Sequence, residues 1–570
     1  MKDRNARDII HEKVVYGDVR ALVEGIAEKF GDKPSFSYRV NPRDKEPTKK
    51  SYIELRDDVR GMATELLARG FGGKHIAVIG KHSYPWIVSY FAIMSVGSVL
   101  VPLDRDWAAE DLATTAEKAE VSLILMDSDV MDKAEAVCAS TGAPAPLALS
   151  IGEGAGADSV QGLIDLGKDK LAAGDRAYFE REVNPDALSL LVFTSGTTGK
   201  GKGVMLTQTA IIQDLADVIP FIAFGQKTVN VLPPHHTYGS SVTILGHATL
   251  GSEIYISGGI RYILRELESE KPGHLILVPL YLETFYRRVQ ANIKQQGKEK
   301  LVARMIKISN LLRKIGIDLR RKLFGQILKA FGGELDLIIC GGAPANQEMI
   351  DFFEAIGVRV LNGYGITECA PIVAVNHSRR VSRGSVGFPL GINEVKIADP
   401  NENGEGEILV RGCNVMMGYY KDEEATREAM TEDGFFRTGD YGKIGRDGAL
   451  FITGRKKNLI ILSNGKNVYP EEIESEFATV PGLLDMIVYE GKSKRGSDYD
   501  AITAEIFPDY DYLEKNGITD AQGYFQKFID EFNVTCVPYK KIGVLKVRTE
   551  DFPKNTLRKI MRFKLDMSID

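Results

Sequence analysis

Residues 191–208, LVFTSGTTGKGKGVMLTQ, concentrate groups suited to gripping a chain of phosphates. Gly196, Gly199, Gly201 and Gly203 can take backbone angles barred to other residues and expose amide N–H groups, while Thr194, Ser195, Thr197 and Thr198 add hydroxyl donors and Lys202 a positive charge. Such a loop can wrap the outer phosphates of a nucleotide. It is not the GxxxxGK[ST] loop of the common NTPases: five places on from Gly196 stands Gly201, Lys202 follows, and Gly203 then occupies the position that needs a hydroxyl. Taken alone, the stretch has a glycine-rich surface turn as its alternative reading.

The surrounding elements must hold this loop in place. SYIELRDDVRGMATELLARG opens with Ser51 and Glu54 in capping-box spacing, carries apolar residues at helical intervals and closes at Gly70, which predicts an amphipathic helix. A strand at HIAVIG, a helix from Pro85 to Val96, a strand at SVLVP, a helix near EDLATTAEKA and a strand at SLILMD follow, and that alternation predicts a parallel sheet covered by helices. A glycine- and alanine-rich stretch, residues 141–174, reads as surface covering. The pattern then restarts at LSLLVFTSG and runs through NVLPP, HLILV, LDLIIC and RVLNGYG, so two similar α/β units are expected side by side. From GEGEILVRG the chain turns to short strands, and beyond Gly454 a small α+β domain of roughly a hundred residues is expected. The fold class is therefore α/β: a large N-terminal domain of stacked α/β subdomains with a β-rich part, residues 1–454, and a small C-terminal α+β domain, residues 455–570.

Composition narrows the function. With 72 basic and 78 acidic side chains the net charge is −6, so no overall field draws the chain to nucleic acid or an anionic membrane. Cys138, Cys340, Cys369, Cys413 and Cys536 are odd in number and form no ligand cluster, which suits reduced thiols in the cytoplasm. The first residues, MKDRNARDIIHEK, lack the apolar core of a signal peptide. The run WIVSYFAIMSVGSVLVPLD falls short of the ~20 apolar residues of a membrane span and reads as a buried helix followed by a strand.

FTSGTTGKGKG resembles the signature of the acyl-adenylate-forming superfamily of acyl-CoA synthetases, luciferases and peptide-synthetase adenylation domains, and similarity extends in order over nearly the whole chain. Gly201 stands where that family usually has proline, a change that removes no donor. The resemblance implies ATP, Mg²⁺ and CoA as cofactors and substrates. In LNGYGITECAP, spanning Asn362, Gly363, Tyr364, Gly365, Thr367 and Glu368, it implies tyrosine against adenine, threonine on the α-phosphate and glutamate, with Thr197, on Mg²⁺. Mg²⁺ does prefer hard oxygen ligands and is commonly held by one or two carboxylates plus substrate phosphates. CGGAP, with Gly341, Gly342 and Ala343, resembles the adenine-side loop, although a glycine pair at a strand end also marks a tight turn. Asp440 in GFFRTGD matches the carboxylate that binds both ribose hydroxyls, and Arg455 in ITGRKKNLI the arginine beside it.

FPKNTLRKIMR resembles the family's PKTxxGKxxR ending and puts Lys559 at the catalytic lysine, with Arg558 at the usual glycine and Lys554 as a competing candidate. An ammonium there can bond the substrate carboxylate and the α-phosphate as charge builds on phosphorus. In LPPHHTYG, register points to His236 beside the acyl pocket and Tyr238 as a gate, with His235 as polar surface. The resemblance further implies that the small domain rotates about Lys457, bringing Gly465 and Lys466 to CoA; Asn464-Gly465 is also consistent with a hairpin turn.

The best overall likeness is to bacterial long-chain fatty acyl-CoA synthetases, which implies ATP-dependent activation of a long- or medium-chain fatty acid through acyl-AMP and transfer to CoA. An alternative keeps adenylation and hands the acyl group to a carrier-protein phosphopantetheine. A third reading, a nucleotide-binding sensor without turnover, is disfavoured because Thr197, Glu368, Asp440, Arg455 and Lys559 are all present. Nucleic acid is not an expected partner; contact with a membrane surface is left open.

Overall fold

The computed structural model describes residues 8–41, 43–152, 155–194, 201–462, 467–492, 500–554 and 560–568. The chain divides into two compact units, the first formed by residues 1–342, 352–394 and 410–436 and the second by residues 343–351, 395–409 and 437–570. The expected division at residues 454 and 455 falls inside the second unit.

Two sheets organise the first unit. One has seven strands in the order Gly418–Tyr419, Lys202–Thr207, Leu188–Thr194, Val99–Leu103, His75–Ile79, Val121–Met126, Leu147–Ala148. Its middle is parallel, as the alternation predicts, while Lys202–Thr207 runs antiparallel to Leu188–Thr194. The other has nine strands, among them Arg359–Gly365, Leu337–Cys340, His274–Leu277 and Lys227–Asn230. The two sheets are interleaved in sequence: the strands Pro34–Tyr38 and Thr48–Ser51 precede every strand of the seven-stranded sheet yet form the edge of the nine-stranded one. The strand expected at NVLPP ends at Asn230, whose side-chain Oδ1 takes the N–H of Leu232 at 2.9 Å in place of a ladder partner.

The capping box is present: Ser51 Oγ accepts from Glu54 N and Glu54 Oε2 from Ser51 N, opening the helix Tyr52–Ala68. The apolar run forms the helix Tyr84–Ser95, buried at every residue, and the buried strand Val99–Leu103. Residues 141–174 are more than covering. They contain the helix Val160–Ala172, packed on Tyr52–Ala68 so closely that a Cβ on Gly167 would lie 1.7 Å from Gly61 O. The glycines that weaken helix propensity in the sequence are what permits this approach.

In the second unit, the strands Leu483–Lys492, Asp500–Pro508 and Val544–Val547 form a three-stranded sheet, covered by the helices Pro470–Phe477 and Ala521–Thr535 over a core that includes Ile473, Phe477, Val488, Ile506, Phe525 and Ile529. The α+β expectation for this part of the chain matches these elements.

Candidate active site

Ser195, Gly196, Thr197, Thr198 and Gly199 lie outside the described residues, but the structure fixes both ends of their loop. Thr194 pairs with Lys202 at the close of an antiparallel strand pair, and Thr194 Oγ1 donates to Lys202 O over 3.4 Å. Gly201 O accepts from Lys118 Nζ at 3.3 Å. Gly203 differs from expectation: it is a buried strand residue opposite Phe193, where a Cβ would crowd Leu191 and Phe193 at 3.0 and 3.1 Å. Its role is packing beneath the loop, not donation within it.

A second element meets this base. After the strand Arg359–Gly365 the chain turns at Thr367–Cys369, carrying Glu368. Gly365 is required there by space, since a Cβ would come within 2.2 Å of Pro371 O. The short strand Gly418–Tyr419 pairs with Lys202–Thr207 and brings Tyr419 between the two. Tyr419 Oη donates to Glu368 Oε1 at 3.0 Å, and Lys202 Nζ stands 4.8 Å from the centre of the Tyr419 ring. Burial and the neighbouring Glu368 carboxylate push the Tyr419 phenol up, so it stays protonated as the donor.

The backbone of the Glu368 turn is held as well. Met416 N donates to Glu368 O, and Asn414 Nδ2 reaches Cys369 O, Ile372 O and Asp214 Oδ1 at 3.0, 2.9 and 2.9 Å. Asp214 is fully buried on the helix Gln208–Val218, which starts where the strand after the phosphate loop ends. One short path of strand and helix therefore connects the loop's base to the carboxylate turn.

Asn362, Gly363 and Tyr364 occupy the same strand as Gly365. Asn362 Oδ1 is buried and accepts no hydrogen bond among the described residues. Cys340 pairs with Asn362 at the end of the strand Leu337–Cys340, and Gly341 follows it, where a Cβ would lie 3.1 Å from Tyr238 Oη. Gly342 has φ +84°, the left-handed turn conformation that glycine suits. Ala343 is exposed and belongs to the second unit.

The histidine stretch differs in part from expectation. His235 is buried, 3.5 Å from Asp104 Oδ2, and burial lowers its pKa against the opposing pull of Asp104 and Asp106. It is interior and not polar surface. His236 is half-buried, its ring 4.3 Å from that of His235. Tyr238 starts a π-helix, Tyr238–Gly246, and its hydroxyl points at Leu277 O and Ile339 O, 3.3 and 3.4 Å away. Burial raises this phenol too.

In the second unit, Asp440 and Arg455 are directly opposed on the antiparallel strands Phe436–Ile444 and Leu450–Arg455, with Arg455 Nε 2.8 Å from Asp440 Oδ1. Asp440 is buried and Arg455 half-exposed. Lys457 follows in a tight turn whose flanks are pinned: Lys456 Nζ donates to Glu407 Oε2 and Asn458 Nδ2 to Glu471 Oε1. Gly465 and Lys466 lie outside the described residues.

Lys559 does too; the described residues on either side of it are held by contacts of their own. Lys554 and Ile560 form a bridge, Met561 N donates to Pro553 O, and Arg562 pairs with Glu474 and donates to Val488 O. Lys554 itself is committed: its ammonium contacts Asp485 Oδ2 at 2.7 Å and Asp551 Oδ1 at 2.8 Å. Burial works against that charge, yet these carboxylates hold its pKa above the usual lysine value.

A family model described as "AMP-binding enzyme" matches residues 23–420. The chain belongs to that family. Among curated relatives of this AMP-binding enzyme, the long-chain-fatty-acid–CoA ligase FadD15 of Mycobacterium bovis is 29% identical over 464 residues, covering 77% of this chain and 75% of that protein. The chloroplastic long-chain-fatty-acid–[acyl-carrier-protein] ligase AEE15 of Arabidopsis thaliana is 30% identical over 543 residues, covering 82% and 74%. Among solved structures, ATP-bound MatB from Rhodopseudomonas palustris superposes with a TM-score of 0.73 at 25% identity, covering 96% of this chain and 97% of that one. The α/β architecture with large and small domains agrees with that likeness.

In the first unit, the structure brings Thr194, Lys202 and Glu368 to one region, and in the second it opposes Asp440 to Arg455. Tyr419, Asp214 and Asn414 were not singled out from sequence. NVMMGYY carries the first signal, a tyrosine after a glycine, but nothing local shows that this strand pairs with one two hundred residues earlier.

Proposed function

We propose that this AMP-binding enzyme activates a fatty acid with ATP and transfers the acyl group to CoA. The observation that carries the reading is the Lys202–Tyr419–Glu368 group at the base of the glycine and hydroxyl loop: a cation for phosphate next to a carboxylate held by a phenol. Thr194, Ser195, Gly196, Thr197, Thr198, Gly199 and Lys202 would grip the β- and γ-phosphates. Asn362, Gly363, Tyr364 and Gly365, with Gly341, Gly342 and Ala343, would receive adenine, and the buried acceptor Asn362 Oδ1 suits an amino group. Asp440 and Arg455 would take the ribose.

A carboxylate oxygen of the acid attacks the α-phosphorus, the bond to the β-phosphate oxygen breaks, and pyrophosphate leaves. Thr367 and Lys559 stabilise charge at that phosphorus, and the commitment of Lys554 to two carboxylates favours Lys559 over Lys554 for that role. His236 would stand beside the acyl group. Glu368 and Thr197 would hold Mg²⁺: among the described residues Tyr419 engages Glu368 through Oε1, so Oε2 is a hard oxygen ligand for it, and the ion would supply charge neutralisation on the phosphates. The thiol sulfur of CoA then attacks the acyl carbon, the carbon–oxygen bond to AMP breaks, and AMP departs. We place a rotation about Lys457 between the half-reactions, with residues 1–454 and 455–570 as the two bodies, Gly465 leaving room for pantetheine and Lys466 meeting a CoA phosphate.

The fatty substrate is supported by the names of the relatives. The Arabidopsis relative supports a second acceptor, a carrier-protein phosphopantetheine. Purified enzyme given ATP, Mg²⁺ and fatty acids of graded length, with CoA and holo carrier protein in competition, tests both. Acyl-CoA and stoichiometric AMP support the first reading, acyl-carrier product the second, and no thioester from any fatty acid removes both. Five cysteines without disulfides suit a cytoplasmic setting.

A further inference from the structure

We propose that the helix Glu299–Lys314 docks this enzyme on an anionic lipid surface. The helix packs against Pro279–Gln295, yet Ser309 is its single buried residue. Its remaining apolar side chains divide into two faces. Val302, Met305, Ile306 and Leu312 are half-buried and cluster around Ser309 on the helical wheel, so they face the protein. Leu301, Ile308 and Leu311, followed by Ile315 at the helix end, recur at intervals of seven, three and four and form a separate outward stripe. They are 52%, 50%, 66% and 70% exposed. A water-facing helix has no reason to carry four large aliphatic side chains in register.

Charge identifies what covers them. Lys300, Lys307 and Lys314 are all exposed and, being seven residues apart, run as a row along one flank of the stripe; Arg304 sits within it. Between Lys294 and Lys322 there are ten basic residues and two acidic ones, in a chain whose net charge is −6. One of those acids, Asp318, is engaged by Arg320 at 2.7 Å. An apolar stripe bordered by lysines is the pattern of a helix lying in the headgroup region, its aliphatic side chains in the acyl boundary and its ammonium groups on lipid phosphates. A second copy fits less well, since a twofold contact would set the same lysine rows against each other. Nucleic acid would use the lysines but leave the aliphatic stripe in water. The composition of the whole chain hides this surface, because its positive charge is confined to about thirty residues.

The inference does not depend on which acid the enzyme activates, so the test reads binding. The full chain is floated with vesicles of phosphatidylcholine alone and with about a quarter phosphatidylglycerol. Binding is expected to the anionic vesicles only, and to weaken as salt is raised. Combining Lys300→Gln, Lys307→Gln and Lys314→Gln should lower the partition coefficient on the order of a hundred-fold. Combining Leu301→Ser, Ile308→Ser, Leu311→Ser and Ile315→Ser should lower it to a similar degree. Both variants should keep wild-type thermal unfolding, since the changed groups are solvent-facing. Equal binding to neutral and anionic vesicles, or wild-type binding by both variants, overturns the proposal. So does a lipid-free dimer that the serine variant dissolves, or retention on duplex DNA in place of vesicles.

Discussion

Replacing Tyr419 by phenylalanine removes one oxygen and leaves the ring beneath Lys202 in place. The lost contact is a 3.0 Å bond from a phenol to the Glu368 carboxylate. Hydrogen bonds to charged groups contribute about 1.5–3 kcal/mol, more than neutral ones, and this donor is 8% exposed, so water does not readily substitute for it. Transmitted fully to adenylation, that loss is roughly a ten- to hundred-fold slower reaction. It should take a specific form. Glu368 loses the bond that orients it, so the Mg²⁺ concentration for half-maximal fatty-acid-dependent ATP–pyrophosphate exchange should rise. Thioester formation from supplied acyl-AMP, which needs no phosphate cation, should be close to wild type. An unchanged Mg²⁺ dependence with exchange within about twofold of wild type would show that Tyr419 merely packs. Equal loss of both half-reactions in a folded protein would refute the role given to Glu368.

Lys559→Ala should slow adenylation by about 10²–10³ while sparing thioesterification of acyl-AMP, and Lys554→Ala should instead lower the urea midpoint with adenylation nearly intact, because its charge is spent on Asp485 and Asp551. Lys457→Pro should give near-normal pyrophosphate exchange with poor thioester yield; matching losses in the two assays would count against a hinge there. Acid should destabilise the fold through buried histidines. Burial lowers His82 and His247 to about 4, so the unfolded chain takes up their protons first as pH falls below about 6.5, and stability present at neutral pH is lost between about 6.5 and 4, by roughly 3 kcal/mol for each. Urea titrations across that range check the slope, and a flat profile would mean that these rings are charged or exposed.

What could be read from sequence was local. The capping box at Ser51 and Glu54, the buried run after Pro85, the strand RVLNGYG and the small α+β end of the chain all follow from patterns within twenty residues, and they stand in the structure where those patterns place them. The hidden parts depend on distant pairing. Nothing near Tyr419 announces that its strand lies on Lys202–Thr207, and nothing near Pro34 shows that its strand leaves the first sheet for the second. Gly167 is hidden in a related way: it sits in the glycine- and alanine-rich stretch that reads as surface covering, while its benefit, backbone contact with Gly61, exists only between helices a hundred residues apart. For the site, residue types gave the chemistry, but the support beneath it, Asp214, Asn414 and Tyr419, is polar packing that no motif marks.

The central claim is that a fatty carboxylate attacks the α-phosphorus of ATP on this enzyme. Oxygen-isotope transfer tests it most directly: a fatty acid with ¹⁸O at both carboxylate oxygens is incubated with enzyme, ATP, Mg²⁺ and CoA, and the AMP is weighed by mass spectrometry. One ¹⁸O atom in each AMP formed is the predicted result. AMP free of label, or ADP and phosphate as the products, would contradict the account.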